Sequence, residues 1–499
     1  MIKRNVRWIR LCCLMTLLLA APAYPADDPV QRAMALYKAH HYEDAAAALR
    51  SSLPSVKTGS QGIVHLNLGV VYLKNADLHR ELYLTSVSVH LDYLEKIAAF
   101  RGDAKSRFVD LYRGEALLEG GNAAKAARSL ERFVLDKGVP EKYREIAKAK
   151  LGLCYHVQGD GQKAKDIWKA VNQTKPEVLS ELAAAYRKAG LVGENPVTMC
   201  DKALALAKQS VNGAPIRVIK NALGVYAEAG LIEKGLDLLK RTDLKACSSE
   251  EVLAKNKVLR FYDLALLDNL AKLYGKASIE YLTRATADNR SRTAANYYLG
   301  EAYVILGSFD RSAEVTSSFI ASRGAPEKFK AKAKARHAAL LYLQGRKTEA
   351  MSRWNELLQQ RPNSPDLLAD ILTDCSRLAL ECSEIVKRAA ALAEAEGGRK
   401  FPRINVALGR YYLGKKDFGK TIAYMEAGRN KGNKNKIEYN DPLMLINLAE
   451  AYYQTMQFSE ALEIYFAMSE QFPAVRQIQA AMQGVYSMEQ KSAGDARIL

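Results

Sequence analysis

The histidines are the first residues whose spacing could suggest chemistry. His40 and His41 stand just before an acidic pair, a set that could loosely suggest a metal site, but a polar turn between two helices explains it better. His79 and His90 could share one face of a long helix, yet no carboxylates are arranged around them. We therefore predict no metal site and no cofactor.

No catalytic motif stands out elsewhere in the chain. The sequence lacks the G-x-S-x-G elbow, the H-E-x-x-H zinc pair, the G-x-x-x-x-G-K-[ST] phosphate loop and the G-x-G-x-x-G dinucleotide fingerprint. A closely spaced cysteine pair of the zinc-binding type is also missing. These observations predict that the protein is not an enzyme.

Five of the seven cysteines lie beyond residue 26, an odd and sparse set that does not form a disulfide framework. Cys375 and Cys382 are close enough to bridge two neighbouring helices, as an oxidising compartment would allow. Burial as small apolar thiols is the favoured alternative.

The beginning of the chain has the pattern of an export signal. Basic residues without any acidic residue occupy positions 1–10, and an apolar stretch of about half the length of a membrane-spanning helix follows them. Small residues around Ala23 and Ala26 are typical of signal cleavage sites. We predict a signal peptide at residues 1–26 and a periplasmic or otherwise exported, soluble mature chain.

The charge balance favours an anionic partner or surface. The chain has 73 basic and 55 acidic residues, a net charge of +18, and removal of the predicted signal peptide leaves +14. Export removes nucleic acid as a partner, and the aromatic residues fall at packing positions rather than among the cations. An acidic protein, a phosphate-bearing membrane surface and an anionic polysaccharide remain possible partners. The alternative is that the charge only keeps a long helical surface soluble.

An internal repeat organises most of the sequence. In one block Gly152 is followed by Tyr155, Gly159, Ala164 and Trp168, and similar offsets recur in other blocks. A small residue three positions before an aromatic allows a second helix to approach closely, and the later Gly ends the first helix. Each unit is therefore predicted to be a helix–turn–helix hairpin, which is stable only when its neighbours cover its apolar face.

This pattern resembles the tetratricopeptide repeat family over nearly the whole mature chain. The repeats can be aligned on one anchor position each, spaced by 31 to 45 residues: Ala33, Gly69, Gly114, Gly152, Ala183, Leu223, Leu259, Gly300, Ala338, Asp374, Gly409 and Ala449. The resemblance implies an all-α solenoid, or superhelix, of about twelve helical hairpins. We assign residues 27–472 to the repeat array and residues 473–499 to a C-terminal capping helix and tail, with no β-containing domain. Residues 242–250 are predicted to be a polar linker.

The resemblance also implies a binding surface, because the first helices of successive repeats line a concave groove in this family. Residues three before and one after each anchor are expected to face this groove. The predicted partner-binding residues, chosen with a basic cluster late in the chain, are Leu111, Glu115, Tyr297, Glu301, Arg403, Arg410, Ile446 and Glu450.

Two functions are consistent with these features. The first is a non-enzymatic periplasmic scaffold or adaptor that binds envelope proteins through the groove and supports envelope assembly or secretion. The second is a component of an exopolysaccharide secretion system that binds an anionic polymer. The two hypotheses differ in the expected salt sensitivity of binding.

Overall fold

A computed structural model describes most of the chain after residue 28. The described residues are 29–57, 60–99, 105–191, 195–208, 215–242, 249–254, 257–262, 264–361, 364–395, 401–429, 441–469, 475, 478–479, 482–487 and 489–490. The predicted signal peptide at residues 1–26 lies outside them. The chain forms two compact units: unit 1 comprises Met1–Asn75 and Ala277–Leu357, and unit 2 comprises Ala76–Lys276 and Leu358–Leu499.

Helices make up nearly all of the described residues, and this confirms the predicted all-α fold class. In chain order they are α1 (Pro29–Lys38), α2 (Tyr42–Ser52), a 3-10 turn (Leu53–Ser55), α3 (Gln61–Ala99), α4 (Lys105–Glu119), α5 (Ala123–Leu135), α6 (Glu141–Val157), α7 (Gly161–Lys169), α8 (Pro176–Lys188), α9 (Pro196–Lys208), α10 (Ile216–Glu228), α11 (Ile232–Lys240), α12 (Leu264–Ala285), α13 (Asn289–Ile305), α14 (Phe309–Ala321), α15 (Glu327–Leu343), α16 (Lys347–Gln360), α17 (Pro365–Arg377), α18 (Ser383–Ala395), α19 (Pro402–Gly414), α20 (Phe418–Gly428), α21 (Pro442–Gln454) and α22 (Phe458–Met468).

The turns of the hairpins follow one rule. The residue seven positions after an anchor has a positive φ at several anchors, for example Gly121 (79°), Gly159 (90°) and Gly345 (84°). Glycine is favoured there because it has no Cβ to clash in the left-handed conformation that ends a helix. The same position is occupied by Lys416 (59°) and Met456 (60°), where the turn places a larger residue in this conformation.

A second rule fixes the contact between the two helices of a hairpin. An added Cβ at Gly152 would collide with the indole of Trp168, sixteen residues later. The Trp168 Nε1–H donates to the Ala149 carbonyl oxygen at 2.9 Å, and Trp354 Nε1–H donates to the Ala335 carbonyl oxygen at 3.0 Å. Both tryptophans are buried. The small anchor thus makes room for a large side chain of the second helix, as the sequence pattern predicts.

The two longest helices depart from the predicted hairpins. The 39 residues of α3 continue through the position where the repeat anchored at Gly69 should turn. Gly69 instead allows close approach of Leu282 in α12, and Ser278 Oγ donates to the Gly69 carbonyl oxygen at 2.8 Å. A glycine in the middle of a helix thus marks a close helix–helix contact here, and the prediction of a hairpin turn after it was wrong.

A β-hairpin replaces the repeat predicted around Leu259. Strand β1 (Ser249–Ala254) pairs antiparallel with strand β2 (Lys257–Tyr262), with Ser249 opposite Tyr262 and Ala254 opposite Lys257. The prediction of a polar linker up to residue 250 was therefore wrong at residues 249–250, and residues 243–248 lie outside the described part. Strands of six residues are too short for their alternation to be distinguished from a degenerate repeat.

The repeat anchored at Asp374 has a shifted register and a disulfide. Its left-handed residue is Ala379 (φ 52°), which lies five residues after Asp374 rather than seven. Cys375 and Cys382 form a disulfide with a Cα–Cα distance of 6.4 Å. The preferred prediction that these cysteines are separate buried thiols was wrong. The hairpin turn brings positions 375 and 382 together, and sequence spacing alone does not fix this geometry.

The described residues between 475 and 490 are helical, and Val475, Ile478, Met482 and Val485 are buried. Among the described helices, none combines the length with the apolar composition that crossing a bilayer requires.

Candidate partner-binding cleft

A cleft opens in unit 2 along the first helices of consecutive hairpins. The space between its lining atoms, open solvent included, is about 500 Å³, and α4, α6, α8, α10 and α12 each contribute to its walls. Its small lining residues are Ala184, Ala185, Gly224 and Ala265, and the side chain of Asn269 packs against Gly224. The remaining lining residues are Leu118, Glu119, Lys150, Leu153, Glu181, Arg187, Lys188, Asn221, Val225, Glu228 and Asn269.

The floor of the cleft is a buried network of ion pairs. Lys150 Nζ lies 2.6 Å from Glu181 Oε1 and 3.7 Å from Glu115 Oε1. Arg217 Nη1 lies 2.6 Å from Glu115 Oε1 and 3.0 Å from Glu181 Oε2. Asn221 Nδ2 donates to Glu181 Oε2 at 3.2 Å. Each buried charge therefore has an opposite charge beside it, as burial in a medium of low dielectric constant requires.

The network keeps its carboxylates ionised. Burial alone would raise the pKa of Glu181, but the positive charges of Lys150, Lys220 and Arg217 outweigh it and hold the pKa below the usual range. The same balance lowers the pKa of Glu115. In the opposite sense, burial would lower the pKa of Lys150, but the facing glutamates raise it. The floor is thus a fixed set of charges at neutral pH and not a proton donor or acceptor.

The rim of the cleft has charges of both signs, and these are also paired. Lys188 Nζ lies 2.8 Å from Glu119 Oε1. Arg187 Nε lies 3.4 Å from Glu228 Oε2, and Lys272 Nζ lies 3.7 Å from Glu228 Oε1. A rim with charges of both signs presents hydrogen-bond donors and acceptors to a ligand.

Two of the predicted partner-binding residues lie near this cleft. Leu111 is fully buried and Glu115 belongs to the network of the floor. Neither lines the cleft. Its lining residues in α4, α6, α8 and α10 lie two before, or one, two, four or five after, the anchors of their repeats. Glu115 supports the floor through Arg217 and Lys150.

Two further predicted residues, Tyr297 and Glu301, lie in unit 1. Tyr297 is buried, with its ring centroid 5.4 Å from that of Phe319 and 5.1 Å from that of Phe329. Arg336 Nη2 donates to Glu301 Oε1 at 2.5 Å, and its guanidinium lies 5.2 Å from the Tyr297 ring. In this conformation these residues contact the next repeat, and their contact with a partner stays a prediction.

The remaining four predicted residues lie in the C-terminal repeats of unit 2. Arg403 donates from Nη1 to Asp366 Oδ1 and from Nη2 to Asp370 Oδ1, both at 2.6 Å. Ile446 is fully buried. Arg410 and Glu450 are half-buried on the inner helices α19 and α21. Their role in partner binding also stays a prediction.

The residues that sequence reasoning missed are the charged side chains that line the cleft. Lys150 and Glu181 lie two positions before their anchors, and Glu119, Lys188 and Glu228 lie five positions after theirs. Positions seven apart share one face of a helix. The available signal was a charged or amide side chain at one or both of these offsets in each of four consecutive repeats.

The buried thiols and the histidines offer no catalytic arrangement. Burial raises the pKa of Cys154 and of Cys200 to about 12, so both stay protonated and unreactive. His41 Nδ1 lies 3.8 Å from Asp44 Oδ2 in the first hairpin turn. Within the described ranges, no three His, Cys, Asp or Glu side chains are grouped so that they could hold a metal ion.

Consecutive hairpins with a cleft along their first helices define a helical-repeat fold. Residues 336–364 match the family model described as Tetratricopeptide repeat. One repeat of the chain thus matches this family, in agreement with the resemblance seen in the sequence. Proteins built from this repeat are generally non-enzymatic scaffolds with protein partners.

Comparisons with other proteins add the following matches. The crystal structure of yeast Tom70 matches with 12% identity and a TM-score of 0.30, covering 94% of this chain and 96% of that one. The APC/C hetero-tetramer Cut9-Hcn1 matches with 14% identity and a TM-score of 0.26, covering 94% and 98%. The P58(IPK) TPR domain matches with 14% identity and a TM-score of 0.19, covering 86% and 98%. A search of the sequence against curated proteins finds no match.

Proposed function

We propose that this chain is an exported, non-enzymatic scaffold that holds a segment of a protein partner in the cleft of unit 2 and supports envelope assembly or secretion. The cleft carries the proposal. It runs across the first helices of four hairpins and α12, and its lining combines small residues such as Ala184 with charged and amide side chains. Helices and extended peptides bind in grooves between helices, where their anchor side chains dock.

The charge pattern of the cleft favours a polypeptide over an anionic polymer. Glu119 and Glu228 each face cations on the rim, so the cleft presents both signs of charge. A polyanion is bound best by a surface of one sign, and its binding is screened by salt. A protein segment can satisfy donors and acceptors alternately, which matches the paired rim.

Two observations support export. The pattern of residues 1–26 is typical of a signal peptide. The disulfide between Cys375 and Cys382 is of the kind that persists in oxidising compartments such as the periplasm. Recovery of the chain from the periplasmic fraction with its N-terminus near residue 24 or 27 would support the proposed location, whereas recovery with Met1 intact from the cytosol would contradict it.

The test of the cleft is affinity capture from envelope extract with two matched variants. Ala184→Arg places a long side chain in the cleft, and Ala124→Arg places the same side chain at an exposed position of α5. We expect Ala184→Arg to lose a partner that the wild type and Ala124→Arg both retain in moderate salt. Equal capture by all three forms would contradict the cleft. Capture of an acidic polysaccharide, abolished by about 0.5 M salt, would favour the polymer-secretion alternative.

A further inference from the structure

The second half of α3 crosses the inner helices of the C-terminal repeats of unit 2. Its polar residues at positions 77, 81, 92 and 96 form one stripe, because spacings of 4, 11 and 4 residues return to the same face of a helix. Asp77 Oδ2 lies 3.1 Å from Arg377 Nη2 at the end of α17. Glu81 faces the positive charge of Arg410 in α19. Residues 76–99, named the strap below, thus occupy the inner face of these repeats.

At its far end the strap meets a group of carboxylates. Tyr453 of α21 donates from its hydroxyl to Asp92 Oδ2 at 2.7 Å. Glu450, on the preceding turn of α21, accepts from Gln454 Nε2 at 2.7 Å through Oε1. Its Oε2 is buried and receives no hydrogen bond from any described residue. A buried carboxylate oxygen without a donor is costly when ionised, and the negative charge of Asp92 acts on the Glu450 carboxyl in the same sense.

The other charges that face this contact are already paired. Lys96 of the strap forms an ion pair with Glu489 in the C-terminal helical segment. Arg410 of α19, one repeat away, faces Glu81. On the other side of the strap, Glu95 pairs with Arg113 of α4 at 2.8 Å. No described cation is therefore placed to neutralise Glu450 and Asp92 together.

We propose that the strap is a pH-sensitive latch on the last repeats: it stays closed while the buried carboxyl of Glu450 is protonated, and its end, held by the Asp92–Tyr453 hydrogen bond, opens when Glu450 is ionised. The inference does not depend on the proposed partner cleft, which is formed by other helices. Opening exposes the inner face of α21, which the strap otherwise covers.

The working range of the latch is close to neutral pH. The pKa of Glu450 is raised from 4.5 to about 7, mainly by burial and to a smaller extent by the charge of Asp92, against the opposing hydrogen bond from Gln454. A carboxyl whose pKa is higher in the closed state favours that state in acid. Between pH 5.5 and pH 8.5 the equilibrium constant for opening should rise by about 30-fold.

The test is hydrogen exchange of the full mature chain at pH 5.5 and pH 8.5, corrected for the intrinsic exchange rates. We expect the protection of peptides from residues 85–99 to fall by about 30-fold at the higher pH. Glu450→Gln cannot ionise and should keep these peptides protected at both values. Glu460→Gln, at an exposed position of α22, is the matched control and should behave as the wild type.

A second variant keeps the test decisive if Glu450→Gln does not fold. Asp92→Asn removes the facing charge while leaving an oxygen for the Tyr453 hydroxyl, and it should reduce the dependence on pH. Equal protection of the wild type at both pH values would overturn the latch. A dependence on pH that is unchanged in Glu450→Gln or in Asp92→Asn would also overturn it.

Discussion

The cleft helices α4–α12 and the C-terminal repeats α17–α22 of unit 2 are built from the same kind of hairpin. The buried carboxylates of the two regions, however, have different charges around them. In the cleft, Glu181 is surrounded by cations, and its pKa is lowered although burial alone would raise it. At the end of α21, burial raises the pKa of Glu450 to about 7 and no cation opposes it. The same residue type is therefore a fixed charge in one region and a titrating group in the other.

The largest expected effect is the loss of a charge from the cleft floor. Glu181→Ala removes one carboxylate from beside the buried Lys150 and Arg217, and we expect a loss of about 3–5 kcal/mol in the free energy of unfolding. Urea unfolding of the two proteins measures this difference. The control is Glu280→Ala, which breaks an exposed pair with Arg284 and should cost less than about 0.5 kcal/mol. Equal losses would show that the buried ion pairs of the cleft floor contribute no more to the free energy of unfolding than an exposed ion pair does.

Acid should affect the two regions with opposite sign. The pKa of Glu450 is raised, so its contribution to stability is complete below 4.5 and is lost as the pH rises towards 7, by about 3 kcal/mol. The pKa values of Glu115 and Glu181 are lowered, so their contribution is present above 4.5 and is lost as the pH falls below it.

Hydrogen exchange at pH 7, 5 and 3.5 separates these two effects. Peptides from α21 and the strap should gain protection from pH 7 to pH 5. Peptides from α6 and α8 should be unchanged over that interval and lose protection at pH 3.5. A common change in both sets of peptides would remove the distinction between the two regions.

A covalent link is the next difference, since within the described residues only the C-terminal repeats contain a disulfide. Replacing Cys375 and Cys382 together by Ala should lower the free energy of unfolding by about 2–3 kcal/mol, because a loop closed across a sequence separation of 7 is released in the unfolded state. Non-reducing peptide mass spectrometry should show the linked pair in the wild type. Unlinked thiols in protein purified without reductant would contradict the bridge.

The smallest expected effect should be the same in both regions. Asp160 Oδ1 accepts from the Lys163 backbone N–H at 3.1 Å, and Asp417 Oδ1 accepts from the Lys420 N–H at 3.1 Å. Asp160→Ala and Asp417→Ala should each cost about 1 kcal/mol, because an N-cap depends on the local backbone and not on the inner charges. Thermal unfolding of the two variants checks this. A clearly larger loss at one site would mean that the hairpin ends also differ.

Much of the local fold could be predicted from the sequence, while the candidate site could be predicted only in part. The spacing of Gly152 and Trp168 in the sequence predicts a hairpin, and the structure has the expected anchor and helix–helix contact there. The groove rule placed Leu111 and Tyr297 on a binding surface, but both are buried, because neighbouring repeats cover positions three before the anchor. A lone repeat shows which residues share a face, but not which of these faces the next repeat covers.

The sequence by itself determined the hairpin, its small anchor, its left-handed turn and its polar caps, because these depend on residues within about twenty positions of one another. Only the tertiary structure decided that Lys150 and Arg217 meet Glu115 and Glu181, and that the strap brings Asp92 against Tyr453. Asp92 and Tyr453 lie 361 residues apart in the chain. The physical reason is that a charge acquires its partner and its burial from the packing of distant helices, and local spacing does not encode that packing.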